Sequence, residues 1–132
     1  MIEIARCFAT AERERTAGGF PESYYKVQKI QEWLNASYAA EISGERLGEE
    51  FDGNFDYMNR IFKRVTGQTI FQYLTAVRME HAKRLIAQTT MHTGVIGQEV
   101  GYPDEYYFSK VFKRNVGMSP CAYADSLSKN KL

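Results

Sequence analysis

The chain has 132 residues and a formal net charge of +1, enough for one compact domain with a modest core and too little for two large ones. Its two cysteines, Cys7 and Cys121, stand in no CxxC or Cys/His cluster, which argues against a structural zinc, any other metal site or a disulfide framework. No run approaches the ~18 apolar residues of a membrane span, and Glu3 and Arg6 interrupt what a signal peptide would need, so the expected compartment is the cytoplasm, with no membrane partner.

Residues 1–22 read as an N-terminal extension or linker. Ile2, Ile4, Ala5, Phe8 and Ala9 could form a short helix there before Gly18-Gly19-Phe20-Pro21 breaks the chain. The domain proper spans residues 23–132. Ser23 is the expected N-cap of a first helix carrying Val27, Ile30, Leu34 and Tyr38 at helical spacing. Ser43 caps a second, short helix with Leu47 and Phe51. Asp52-Gly53-Asn54 turns, and Asn54 caps a third helix whose inward face holds Tyr57 or Met58, with Ile61, Phe62 and Val65. Gly67 ends it, because glycine alone enters the left-handed region without penalty.

Thr69 with Gln72 forms a capping box opening a long fourth helix, about 69–88, through Leu74, Val77, Met79 or Ala82, Leu85 and Ile86. A short helix beginning near His92 or Thr93 then carries Val95, Ile96 and Val100. Gly101-Tyr102-Pro103 turns, Asp104 caps, and a sixth helix runs to Val116 and Gly117. Ser119-Pro120 starts a seventh, about 119–127, with Tyr123 and Leu127, and the chain from Lys129 reads as a polar tail. Strand periodicity is never sustained. The fold class is therefore all-α, with seven helices.

One stretch occurs twice. Tyr57, Phe62-Lys63-Arg64 and Gly67 return as Tyr107, Phe112-Lys113-Arg114 and Gly117 (112 − 62 = 50), and Leu47-Gly48 returns as Ile96-Gly97 (96 − 47 = 49). The second copy thus holds one extra residue in its turn, around Tyr102-Pro103. Short helix, tight turn, basic helix, with glycine where two segments approach closely, describes two helix-turn-helix subdomains, about 43–67 and 92–117, joined by the long helix.

Charge follows the repeat. Residues 1–53 carry six basic and ten acidic side chains (6 − 10 = −4), residues 54–117 nine and five (9 − 5 = +4), and the tail two and one (2 − 1 = +1). A negatively charged partner would select such asymmetry. The second helix of each copy exposes short polar or aromatic groups in its first turns, suited to base edges. Each ends on a cation pair, Lys63-Arg64 or Lys113-Arg114, suited to phosphate. Cations at a helix C-terminus also favour the macrodipole by about 0.3–1 kcal/mol, and both effects can act together. The 20 residues from Thr69 to Gln88 span about 30 Å, against ~34 Å between successive major-groove faces. The expectation is sequence-specific binding of double-stranded DNA, with two recognition helices in adjacent major grooves.

These features resemble the DNA-binding domain of AraC/XylS-type transcription regulators. The most specific part is Val95-Ile96-Gly97-Gln98-Glu99-Val100-Gly101-Tyr102, then Tyr107 to Arg114, then Gly117-Met118-Ser119-Pro120 and Tyr123. Tyr73-Leu74, Arg78, Ala82 and Leu85 match the linker helix. The resemblance covers about residues 24–127. It implies transcription regulation by activation, RNA polymerase as a second partner, and oligomerisation, if any, through an N-terminal domain outside this chain. By position it puts Asp56, Asn59 and Arg60 of the first unit, and Glu105, Tyr106, Ser109 and Lys110 of the second, at base edges. Phosphate falls to Lys63, Arg64, Lys113 and Arg114. Two features depart from the pattern. Gly48 and Gly97 stand where the family has alanine, and Asp56, Asp104 and Glu105 bring negative charge to the DNA-facing ends; Asp56 and Asp104 are favoured there by the helix N-termini alone.

The alternative reading is a helical protein–protein interaction module without DNA binding, for which nine tyrosines and eight phenylalanines could build the surface. An enzyme is not expected. The two histidines, His81 and His92, have no nucleophile in a recognisable arrangement, and no phosphate-binding glycine loop, cofactor motif or metal-ligand spacing occurs.

Overall fold

Residues 21–130 are described by a computed structural model; the expectation of a short helix before Phe20 falls outside them. Among the described residues there are seven helices and no strand: α1 (Glu22–Ser37), α2 (Gly44–Glu50), α3 (Phe55–Thr66), α4 (Ile70–Gln88), α5 (Thr93–Glu99), α6 (Glu105–Val116) and α7 (Pro120–Asn130). They form two compact units. In described residues the first comprises 21–37 and 42–75, and the second 38–41 and 76–130.

In the first unit α1 contributes Val27, Ile30 and Leu34 to the core, α2 Leu47, and α3 Met58, Ile61 and Phe62, all buried. Ile70, Tyr73 and Leu74 from the start of α4 complete it. The sequence pattern holds for Val27, Ile30 and Leu34 of α1 and fails at the ends of the helix. The helix starts at Glu22, one residue before Ser23, with Tyr24 N donating to Pro21 O at 3.0 Å. It stops at Ser37, so Tyr38 leaves this face and lies in the other unit. Helical spacing alone cannot show that the helix has ended one residue short of an aromatic.

The second unit packs Met79 and Ala82 of α4, Ile96 of α5, Val100 and Tyr102 of the turn, and Phe108, Val111 and Phe112 of α6. Tyr38, Leu85, Ile86, Val116 and Tyr123 flank that core. Tyr38 stacks on His81 with ring centroids 3.9 Å apart and planes 5° apart. Beside it Arg78, 9% exposed, donates from Nε to Tyr38 O at 2.7 Å and from Nη2 to Ala40 O at 2.8 Å. The guanidinium carbon also lies 4.9 Å from the Tyr102 ring centroid. A buried cation held by two carbonyls and an aromatic face therefore ties residues 38–41 to the helix-turn-helix of this unit. α7 runs to Asn130 rather than ending at 127.

Apart from Ser23, the caps read from sequence are made by the expected atoms. Ser43 Oγ accepts from Arg46 N at 3.1 Å, Asn54 Oδ1 from Tyr57 N at 3.0 Å, and Ser119 Oγ from Ala122 N at 3.1 Å. Thr69 and Gln72 bond reciprocally, Thr69 N to Gln72 Oε1 at 2.9 Å and Gln72 N to Thr69 Oγ1 at 3.1 Å, which places Thr69 before rather than within α4. Gly67 and Gly117 adopt φ of 84° and 99° and return their N–H groups to Lys63 O and Lys113 O. Those bonds cap the carbonyl ends of α3 and α6.

Candidate nucleic-acid interface

Each unit builds its second helix on the same turn. Gly53 N donates to Gly48 O at 3.0 Å, and Tyr102 N donates to Gly97 O at 2.7 Å. A left-handed residue precedes each donor, Asp52 with φ 48° and Gly101 with φ 106°. Up to this point the copies differ by 49 (102 − 53); from the caps Asn54 and Asp104 onward they differ by 50 (104 − 54). The inserted residue is therefore Pro103. The two short-helix glycines are both at close approaches, of different kinds. A Cβ on Gly48 would sit 2.9 Å from the Gly53 carbonyl oxygen, whereas one on Gly97 would meet the Phe108 side chain at 3.0–3.1 Å.

At 100° per residue, Met58, Ile61 and Phe62 face one side of α3, and Asp56, Arg60, Lys63 and Arg64 the other. The first three are buried and the last four exposed. Phe108, Val111 and Phe112 against Tyr106, Lys110, Lys113 and Arg114 divide α6 the same way. Both helices thus turn the expected stripe outward. Among the described residues none of Lys63, Arg64, Lys113 and Arg114 is held in an ion pair within 4.0 Å; Lys83 pairs with Glu80 at 3.1 Å, and His92 Nδ1 lies 3.9 Å from Glu105 Oε1.

Three expected reading residues lie on the flank of these stripes. Asn59 is half-buried, and its Oδ1 accepts from Ile70 N at 2.8 Å, capping the first turn of α4. Glu105 is exposed and reaches back to the start of α5, where its Oε1 is 3.9 Å from His92 Nδ1 and would contact a Cβ on Gly94 at 2.6 Å. Ser109 is half-buried. Tyr106 is 70% exposed, and Lys110 Nζ rests 5.1 Å from its ring centroid. The engagement of Asn59 carries no local sequence signal, because its acceptor role depends on a residue eleven positions later.

The short helices present different chemistry. An open groove of about 760 Å³ in the first unit is lined by Gly44, Gly48, Gly53, Asn54 and Phe55 with Glu45, Glu49 and Asp52; three carboxylates make it unsuited to phosphate. His92 caps α5, its Nδ1 accepting from Gly94 N at 3.2 Å. His81, stacked on Tyr38, is held below the usual histidine range by burial and then by the Arg84 charge, with Glu80 opposing. Among the described residues no group of three His, Cys, Asp or Glu side chains could hold a metal ion, and no helix is long and apolar enough to cross a membrane.

Residues 54–126 match the model of a helix-turn-helix domain family. The HTH-type transcriptional regulator YisR of Bacillus subtilis is 45% identical over 97 residues, 74% of this chain and 34% of that protein. The HTH-type transcriptional activator RhaR of Klebsiella pneumoniae is 34% identical over 121 residues, 89% of this chain and 43% of that protein. The chain thus spans less than half the length of either relative. Among solved structures, the C-terminal domain of AraT, a response regulator from Geobacillus stearothermophilus, superimposes with a TM-score of 0.74 at 28% identity, covering 76% of this chain and 84% of that one. With its two helix-turn-helix units and outward basic stripes, the chain belongs to the AraC/XylS family of helix-turn-helix DNA-binding domains.

Proposed function

We propose that this chain binds double-stranded DNA sequence-specifically, inserting α3 and α6 into major grooves at two half-sites of one duplex, and that it thereby activates transcription. The observation that carries the reading is the repeated exposed stripe, Asp56-Arg60-Lys63-Arg64 and Tyr106-Lys110-Lys113-Arg114, on the second helix of each unit. Base edges fall to Asp56, Arg60, Tyr106 and Lys110, with Ser109 at the margin. Asn59 and Glu105 serve the scaffold first. Phosphate falls to Lys63, Arg64, Lys113 and Arg114, whose cations sit one to two turns beyond the base-facing residues. RNA polymerase is the second partner, the cytoplasmic nucleoid the place of action, and any self-association belongs to sequence outside this chain. No catalysis is assigned: His81 is used in stacking and His92 in capping.

The test is a titration of the chain with duplex DNA across salt concentrations. If the four cations each neutralise one phosphate, log K falls with log salt at a slope of about −3.6, from roughly −0.9 per phosphate. Lys63→Ala then reduces the slope by about 0.9 and weakens all sequences alike. No complex with any duplex pool at low salt refutes the reading.

A further inference from the structure

The scaffold leaves a matched pair of readers on each recognition helix. With the Asn59 amide on Ile70 N and the Glu105 carboxylate turned toward His92, the side chains free on the outer face ahead of the phosphate cations are Asp56 with Arg60, and Tyr106 with Lys110. The two pairs occupy the same register (106 − 56 = 50; 110 − 60 = 50), one helical turn apart on one face. Their internal states differ. Lys110 is folded onto the Tyr106 ring. Asp56 and Arg60 are both exposed, and no ion pair within 4.0 Å joins them among the described residues, although i,i+4 spacing would allow one. An acceptor and a donor fork thus stand uncompensated side by side, aimed at the same partner.

We propose that Asp56 and Arg60 act as one reading pair of opposed charge, Asp56 demanding a cytosine and Arg60 a guanine within the first half-site. The inference rests on the DNA-binding reading above. A carboxylate has no proton to donate, so in the major groove it can only accept; of the two amine donors there, adenine N6 stands beside the N7 acceptor, which repels the second carboxylate oxygen, so the cytosine N4 amine is the fitting one. Against guanine O6 and N7 or thymine O4 it meets acceptors, and near any phosphate it is repelled. Arg60 supplies the complementary fork for guanine O6 and N7. Asp56 therefore contributes selectivity at the expense of general affinity. A carboxylate in the first turn of α3 also suits the positive end of the helix dipole, and the two roles make different predictions.

The experiment selects sites from duplexes randomised over about two helical turns, using the whole chain, Asp56→Asn and Asp56→Ala. Wild-type selection should fix one cytosine and one guanine in the first half-site, each preferred over the wrong base by about 5- to 150-fold. Asp56→Asn should move the cytosine preference to adenine, since an amide pairs with adenine N6 and N7. Asp56→Ala should flatten that position and raise affinity for unselected duplex about fivefold, the release of one like-charge contact in water. Replacing the selected cytosine with 2-pyrimidinone, which lacks the N4 amine, should weaken the wild-type chain by the same factor without altering the protein. Unchanged base preference in both variants, or indifference to the missing amine, overturns the proposal and leaves Asp56 as a helix-end charge. Failure of the wild-type chain to retain any duplex at low salt overturns the DNA-binding reading instead.

Discussion

Arg78 offers the sharpest test of how the second unit is held together. Its guanidinium is buried and makes two charge-assisted hydrogen bonds, to Tyr38 O at 2.7 Å and Ala40 O at 2.8 Å, while lying against the Tyr102 ring. Hydrogen bonds to a charged group contribute about 1.5–3 kcal/mol each, and a part-buried carbonyl left unpaired costs about 1–3 kcal/mol. Replacement by methionine keeps the length and the packing on Tyr102 but removes both donors. The loss should be about 3 kcal/mol, after allowing for the apolar contact regained and the rotamer entropy released. Arg78→Lys retains the charge but presents a single ammonium where a planar fork spans two carbonyls, so it should lose about half as much. Urea unfolding followed by far-ultraviolet circular dichroism measures both. The expected losses are a large fraction of the 5–15 kcal/mol that stabilises a typical domain. A loss under about 1 kcal/mol for Arg78→Met, or a lysine variant as stable as wild type, would refute the reasoning.

Asn59→Ala should destabilise the chain by about 1 kcal/mol through the lost cap on Ile70 N. Site selection with the variant should return the wild-type base preferences, because the carbonyl oxygen needed for a bidentate contact is engaged by Ile70 N; a changed preference would show that Asn59 reads DNA. His81 has a lowered folded-state pKa, so below its ordinary value the unfolded chain binds more protons than the folded one. Stability should therefore be fully present above about pH 6.5 and decline as pH falls from there toward the lower folded value. His81→Phe, which preserves the stack on Tyr38, should flatten that decline in a pH series of unfolding midpoints. Gly48→Ala and Gly97→Ala should separate. Each gains about 0.8–1 kcal/mol of helix propensity, but the Gly48 Cβ meets a backbone carbonyl at 2.9 Å that cannot move cheaply. A net loss of about 1 kcal/mol is expected there, against a change within about 0.5 kcal/mol at Gly97, where the contact is with the Phe108 side chain from Cβ outward and the two helices need to part by only tenths of an ångström. Equal effects at the two sites would contradict the geometry.

Local signals in the sequence located most of the fold. A cap residue and the amide it satisfies are two or three positions apart, so Ser43, Asn54, Thr69 and Ser119 could be assigned from neighbours alone. The buried faces of α3 and α6 follow from 3.6-residue periodicity, and the terminal glycines from their need for positive φ. The helical spacing failed at Tyr38, where the side chain answers to something distant. Tyr38 continues the α1 spacing yet leaves the helix to stack on His81, forty-three residues on (81 − 38 = 43). Asn59 stands in a reading register and also accepts from Ile70 N through Oδ1, a bond made across eleven positions. The outward stripe of α3 and α6 was legible from periodicity, but its division into free and engaged side chains depends on the approach of α4 and α5, which no local pattern encodes.

The segment 38–41 has a consequence for dissecting the molecule. It precedes the first helix-turn-helix in the chain but belongs to the second unit, supplying the Tyr38 ring and both carbonyls that receive Arg78. A gene cut after codon 75 would give a C-terminal fragment whose buried cation has lost its acceptors and whose His81 has lost its stacking ring. The two readers are interlaced in sequence, like spliced strands of a rope, and cannot be exchanged between regulators as halves. Transplanting specificity would have to proceed by exchanging the outward residues of α3 or α6 in place.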